Sequence, residues 1–591
     1  MADSPLHDAD GPISIDILSN GSSIPDTYEV LSVRTRNELN RVAEAMITVG
    51  DGDPASQNFP VADSNDFKPG SEIEIKSGYA NRTKSIFKGV VTAVRLRIDS
   101  TRGMRLEITC RHKAAVLLQG RRRAVFAAGK KDSDLISDVV SAAGLSVDVE
   151  STVVELPEFV RFDVTDWDFV VSRAELNSMV VSCIADGLSI GSPDFAKKAE
   201  LQVTFGEDLI AMDMEISARG QYPTYETAAW DAAAQEMVND SVKATGDNTY
   251  GNLKTSDLTS ALNPESVSLA SSASHNSSAL SEFAKARAIR SECAKVQGWV
   301  AFQGNASVLP NTTLQLAALG DRFTGKGLIG GVVHRIESGF WKTEVQFGLP
   351  SEWVSDRAGF DAPAASAVAS GTRGLVIGKV TQLDEDPDGL SRIQVAIPEF
   401  DQGATPLWAR LGASYASSTA GCMFLPEIDD EVIVGFFNDN PTCPVILGSL
   451  HNPKVKPPEG FVEYDKENNT KAIVTREQLK VIFDEEKKIL TLETPGGNTV
   501  ELDDDSGLAK VTDQNGNKIT LDSSGITLDS ASDIAIQATG NIDITAGGNL
   551  KMSGVDVSAS GSAGFKASGG GSAELSAGGT TKVAGALVQI N

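Results

Sequence analysis

At 591 residues the chain is too long for a single hydrophobic core and fits roughly three to five domains. It is 41% apolar and 22% charged, and its 54 glycines crowd toward the C-terminal end, which points to a different architecture there. A formal net charge of −28 argues against charge-driven binding to a nucleic-acid backbone or an anionic membrane, since both need Lys/Arg patches; it reads as solubility.

Cys110, Cys183, Cys293, Cys422 and Cys443 are scattered, odd in number and without CxxC spacing. That pattern excludes a disulfide framework or zinc ribbon and makes cytoplasmic synthesis the expectation. The opening MADSPLHDADGPIS has neither a basic nor an apolar signal region, and no stretch approaches the ~18 apolar residues of a membrane span.

Residues 1–365 read as strand-dominated. Tyr28–Arg36, Glu72–Lys76, Ile86–Arg97 and Arg105–Arg111 alternate with period two and are rich in β-branched residues. Ser133 is expected to cap a helix carrying Ile136, Val139 and Val140 that stops at Gly144. Thr165 and Asp168 resemble a capping box opening a longer helix through Leu176, Val180 and Ile184 to Gly187. A third helix is expected over Leu280–Val296, followed by a strand at Trp299–Phe302. Thr227–Val238 is ambiguous between helix and strand, and the polar stretch 239–278 reads as a long mobile loop.

A small polar linker (366–374) precedes residues 375–457. There five short strands, at 374–383, Arg392–Ile397, Leu407–Leu411, Glu431–Phe437 and Val445–Leu450, fit a closed OB-type barrel. Residues 458–591 begin with hairpin-like alternation and then settle into a strict octad. Ile526, Ile534, Ile542 and Leu550 recur every eight residues, with Leu528, Ile536, Ile544 and Met552 two places later. Asp533, Asn541 and Asn549 sit at the corners, where turns favour them. One strand plus one corner cannot bury its own apolar side, whereas stacked copies make a continuous core. A three-sided prism needs three such units per turn, supplied either by one chain as a solenoid or by three chains wound together. Either gives a stiff rod whose strands are paired.

The barrel segment carries GKVTQLDEDPDGLSRIQV at 378–395, LWARL at 407–411 and GCMFLPEIDDEVIVGFFNDNPTCPVILGSLHN at 421–452. It resembles the needle-base OB-fold of VgrG spikes of type VI secretion, and equally the related spikes of phage tails and extracellular contractile injection particles. Its motif positions are Asp386, Pro387, Asp388, Gly389, Trp408, Pro426, Asp430, Glu431, Gly435 and Gly448. TDWDFVVSRAELNSMV at 165–180, FKGVVTAV at 87–94 and FTGKGLIGGVVHRIESGFWKTEV at 323–345 resemble the same family's hub.

The resemblance implies a mainly β homotrimer: a two-barrel hub with minor α, an OB-fold, and a triple-stranded β-helix needle. It implies partners too: an inner tube ring, baseplate proteins, a PAAR-type tip protein beyond Val588, Ile590 and Asn591, and effector cargo, with the target membrane met only mechanically. The expected particle is phage tail-like and acts in the extracellular space. Some phage relatives insert a lysozyme between barrel and needle; here HNPKVKPPEG leads straight back into β-pattern, and the sequence stops at ALVQIN.

Little chemistry competes with that mechanical reading, and no cofactor, metal or catalytic residue is expected. Asp384, Asp386, Asp388 and Gly389 imitate the start of a calcium loop, but Pro387 intrudes and its twelfth position is Val395. The five histidines (7, 112, 275, 334, 451) form no HExxH or Cys/His cluster, and GGG at 569–571 lacks a phosphate-loop context. The six tryptophans read as core or interface anchors. The rivals are a spike with an embedded hydrolase, which needs a buried acid/base pair in a pocket, and a β-helical receptor-binding fibre, which needs a head beyond the needle.

Overall fold

Period-two alternation puts the small β-branched residues of the N-terminal strands on one side, and there they build the first core. Ile47 pairs with Val33 on one side and Ile108 on the other, and Val49 with Leu106; all five are buried. The computed structural model describes residues 2–101, 103–231, 234–262, 264–271, 277–461 and 466–590. It divides into two units, Met1–Gly448 and Ser449–Asn591.

In the first unit a continuous thirteen-stranded sheet runs from Leu209–Ile216 through Val296–Gln303, Phe340–Phe347 and Gly325–Glu337 to Val30–Glu38, then on to Ser22–Ser23. Its central joint is non-local: Ile336 pairs with Val33, and Val332 with Asn37. Two separate cores line this sheet. One gathers Ile47, Ile75, Ile108, Val170 and Val181, and the other Val203, Val300, Phe302, Ile329 and Val345. Where the resemblance implies two barrels, the structure shows two cores along one sheet. Gly330 lets the Gly325–Glu337 strand close on the backbone just after Phe340–Phe347, because a Cβ there would lie 1.9 Å from the Gly348 carbonyl oxygen.

Several local expectations are corrected. The first helix, Asp132–Ala142, has Lys131 rather than Ser133 as its N-cap. Ser133 faces inward and exchanges hydrogen bonds with Thr152, while the Asp134 carboxylate accepts the Lys131 N–H at 3.0 Å. Thr165 does cap the second helix, its hydroxyl accepting the Asp168 N–H at 3.0 Å. That helix ends at Leu176. Ser178 turns into the left-handed region (φ 63°), and Val180–Ile184 is a strand paired with Gly187–Gly191.

The ambiguous Ala-rich stretch falls in a hairpin, Thr224–Asp231 with Glu236–Lys243, and its residues 232–233 lie outside the described residues. The supposed loop at 239–278 contains the end of that hairpin, the helix Thr255–Ala261 and the strand Val267–Ser271, which pairs in parallel with Thr224–Asp231. Residues 263 and 272–276 of that stretch lie outside the described residues. The third helix spans Ser277–Ala294, close to expectation.

His334 sits in the central joint between Thr35 and Thr343, its Nδ1 3.0 Å from the Thr343 hydroxyl, and burial pulls its pKa down to about 4. The folded state therefore disfavours protonation that the unfolded chain accepts near pH 6.5. Stability from this residue is complete above that pH and is lost as pH falls toward 4, on the order of 3 kcal/mol. Thermal melting between pH 7 and pH 4.5 should show the loss, and His334→Gln should flatten the dependence.

Candidate functional site

The second unit is built on hairpins. Seven five-residue strands, from Thr470–Val474 to Gly525–Asp529, each pair antiparallel with the next. The register places the second and fourth residue of successive strands opposite each other: Val481 with Leu492, Leu492 with Val500, Val500 with Val511, Val511 with Ile519, and Ile519 with Leu528. Side chains on one face of a strand recur every two residues, so these positions share one face of the sheet. The other face carries Thr491, Glu501, Lys510, Thr520 and Thr527. The sheet is therefore apolar on one side and mixed on the other, where Ile482, Ile489 and Leu508 interrupt the polar residues. Its apolar side remains wet within the chain: Phe483, Leu492, Leu502, Val511 and Ile519 all stay more than 40% exposed.

The last strand is also the first octad, since Ile526 and Leu528 belong to both. Beyond Asp529, among the described residues, no further strand or bridge forms within the chain. Ile534, Ile536, Ile542, Ile544, Leu550 and Met552 are all exposed, as are Val588 and Ile590. Among the described residues the eight expected needle-core positions are thus not brought together inside one chain. Asn591 lies outside the described residues.

In the first unit the OB-type strands close into a barrel, Val376–Gln382, Ile393–Ala396, Leu407–Leu411, Pro444–Leu450 and Glu431–Phe436 in order around it. Its core is Val380, Ile393, Val395, Ala409, Val432, Val434 and Ile446. The DPDG segment is a turn locked by one carboxylate. Asp386 accepts the backbone N–H groups of Asp388, Leu390 and Arg392 at 3.2, 2.8 and 3.1 Å, and its other partner is the Arg392 guanidinium. The guanidinium holds the Asp386 carboxyl far below the usual carboxylate range. Arg392 also reaches Asp388, and Gly389 completes the turn at φ 64°. A carboxylate so engaged is a structural clamp, not a free calcium ligand.

The other motif residues have framework places. Trp408 is half-buried opposite Gln394, and Pro426 is buried. Asp430 accepts the Glu427 N–H at 2.8 Å and hands the chain to Glu431, which pairs with Lys379. At Gly435 an added Cβ would press on Leu375 at 3.3 Å, whereas nothing lies within 4 Å of one at Gly448.

A buried carboxylate without any local sequence signature lies in the hub. Glu175 accepts hydrogen bonds from Asn40 (3.0 Å) and the Val354 N–H (2.8 Å), and Arg290 stands 3.4 Å away. Burial raises the Glu175 pKa against these partners. Arg290 also donates to the Pro350 and Glu352 carbonyls. The adjoining cavity is only about 10 Å³, too small for a substrate. The cluster fastens the Asp166–Leu176 and Ser277–Ala294 helices to the segment after Leu349. Among the described residues no group of His, Cys, Asp and Glu could hold a metal, and all five cysteines are free thiols, with burial raising those of Cys110, Cys183 and Cys293 to about 12.

The first unit thus sets a β-rich region with two cores before a closed barrel that carries the DPDG clamp. Residues 376–451 match the family described as the type VI secretion system/phage-baseplate injector OB domain, the span in which the VgrG resemblance was densest. Residues 9–338 match the Alg8 N-terminal domain family; this is more than half of the sequence, and the chain belongs to that family. No curated protein matches the sequence.

Solved structures similar to it include the 43 kDa tail protein of prophage MuSo2 from Shewanella oneidensis, at 12% identity and TM-score 0.44, covering 57% of this chain and 99% of that one. A tail protein from Neisseria meningitidis is 13% identical with TM-score 0.42, over 58% of this chain and 99% of its own. An Escherichia coli component of the type VI secretion system, described as structurally similar to the T4 tail proteins gp27 and gp5, is 12% identical with TM-score 0.37. It covers 73% of this chain and 99% of its own.

The Asp386 clamp generates a test. Asp386→Ala should speed amide hydrogen exchange at Asp388, Leu390 and Arg392 and lower the melting temperature, whereas Asp386→Asn, which keeps an acceptor, should do less.

Proposed function

We propose that this chain is the central spike of a contractile injection machine, acting as a homotrimer that caps the inner tube and leads it through a target envelope. The observation that carries the reading is the one-sided apolar sheet of the second unit, which runs without a break into exposed octads. A continuous apolar face of this size is unstable in water and calls for a partner. An octad supplies one strand and one corner, so three copies wound about a common axis supply the three sides of a prism. Each then covers the apolar side of the other two.

Burying the octad side chains at about 1–2 kcal/mol each amounts to tens of kcal/mol per trimer, more than the roughly 4–15 kcal/mol lost on association. Rigidity follows from the same geometry, since strands paired between chains leave few free edges. The work comes from sheath contraction elsewhere in the particle, and no residue here turns over a substrate. The hub (1–365) docks on the tube ring and baseplate proteins, the linker (366–374) and barrel (375–457) gather the three chains, and residues 458–591 form the needle. A conical PAAR-type protein and effector cargo sit at its point. The protein is made in the cytoplasm and works in a particle released into, or acting across, the extracellular space.

Native mass decides the matter. The full chain should be a stable trimer, and removal of residues 458–591 should weaken it sharply. Ile534→Asp combined with Ile542→Asp should dissociate the needle while leaving hub and barrel folded. A full chain that is well folded and strictly monomeric would sink the proposal, and a stable dimer would replace the prism with a two-sheet sandwich.

A further inference from the structure

The first unit contains a cavity of about 670 Å³ between the Phe159–Thr165 strand, the Asp166–Leu176 and Ser277–Ala294 helices, the segment after Trp353 and the barrel residues Asn438 and Asp439. That volume lies within the range of small-molecule sites. Its wall is aromatic: Phe159, Phe169, Phe283, Trp353 and Phe360 all line it. Three guanidinium groups stack on those rings. Arg161 lies 4.9 Å from the Phe169 centroid and Arg173 4.6 Å from that of Phe159, while Arg287 lies 3.9 Å from the Trp353 ring.

The three arginines differ in one respect. Arg161 is paired with Asp166 at 2.6 Å, and Arg173 holds Asp132 through two hydrogen bonds. Among the described residues Arg287 has no carboxylate within ion-pairing distance and donates no hydrogen bond to protein. Its Nε and the indole Nε1 of Trp353 are both buried without an acceptor. These two donors are enclosed by the wall itself, so what Arg287 offers to the cavity is the charge of an unpaired guanidinium. Burial lowers the Arg287 pKa from its ordinary value, outweighing the opposing fields of Asp356 and Glu175, neither of which is within ion-pairing distance.

We propose that this cavity binds a small aromatic carboxylate, its carboxylate on the Arg287 guanidinium and its ring among Phe159, Phe169 and Phe360. The cation asks for an anion, and a planar guanidinium is matched by the fork of a carboxylate. The rings ask for a flat apolar body. Asp361 and Asp439 also line the cavity and disfavour a polyanion, so a single negative charge fits best; Asp439 lies 3.9 Å from Arg373. The site is independent of the assembly reading, because every residue named here belongs to the first unit.

The test is a calorimetric titration of the full chain with 3-phenylpropionate, with 3-phenylpropanamide as its neutral counterpart. A compound of that size should bind with a dissociation constant on the order of 0.1–1 mM, and the amide about tenfold more weakly. Arg287→Met, which keeps the stem over Trp353 but removes the charge, should weaken phenylpropionate about tenfold; Trp353→Phe should weaken it less. Melting temperature and native mass establish that each variant is folded, and if Arg287→Met is not, the comparison of acid and amide on the unaltered chain decides alone. Absence of saturable binding up to about 10 mM, equal affinity for acid and amide, or undiminished affinity in a folded Arg287→Met variant would each overturn the proposal.

Discussion

A β-sheet with one apolar face must cover that face, and the two units meet this constraint in different ways. In the first unit the chain does it internally, with helices and a folded-over sheet closing two cores, and a barrel closing on itself. In the second unit the chain supplies only half of an interior. Its seven strands are well paired along the sheet, yet their apolar side meets no other part of the same unit. Backbone hydrogen bonding and side-chain burial are therefore separated: the meander satisfies the first alone, and the octads after Asp529 satisfy neither within one chain. The proposed trimer rests on that asymmetry.

The buried charges of the hub serve a related end. Glu175, Asn40 and Arg290 come from three parts of the sequence and meet backbone groups that no sheet or helix satisfies. Breaking such a cluster costs more than its net contribution, because it strands the remaining partner in a dry place. The Asp386–Arg392 clamp does similar work locally, replacing a longer turn with one carboxylate and three amides.

What the sequence made legible was periodic. Period-two alternation located the strands of the hub and barrel within a few residues, and it marked 480–529 as hairpin-like without giving the register. The octads were equally plain, but spacing cannot say whose side chain fills the space opposite, so the number of chains stayed open. Thr165 was readable as a cap because capping is local chemistry. The end of the same helix was not, since Val180 and Ile184 suit a helix face and a strand equally, and the left-handed turn at Ser178 decides between them. The Ser- and Asn-rich stretch after Asn239 hid a strand and a helix because tertiary pairing with Thr224–Asp231 outweighs its weak propensity. Arg287 and Glu175 left no signature at all, their partners being distant in sequence.

The joint between Val30–Glu38 and Gly325–Glu337 has a consequence for how the protein is made. Its two strands leave the ribosome about 300 residues apart, which at typical elongation speeds is roughly 15–60 s. Throughout that interval the early strands hold an open edge with no native partner, an invitation to pair with neighbouring nascent chains. On a polysome those neighbours are copies of itself. The meander carries no such delay, for each of its strands finds its mate within about ten residues of synthesis. The hub, not the repetitive tail, is therefore the part whose yield should depend on translation speed and on chaperones.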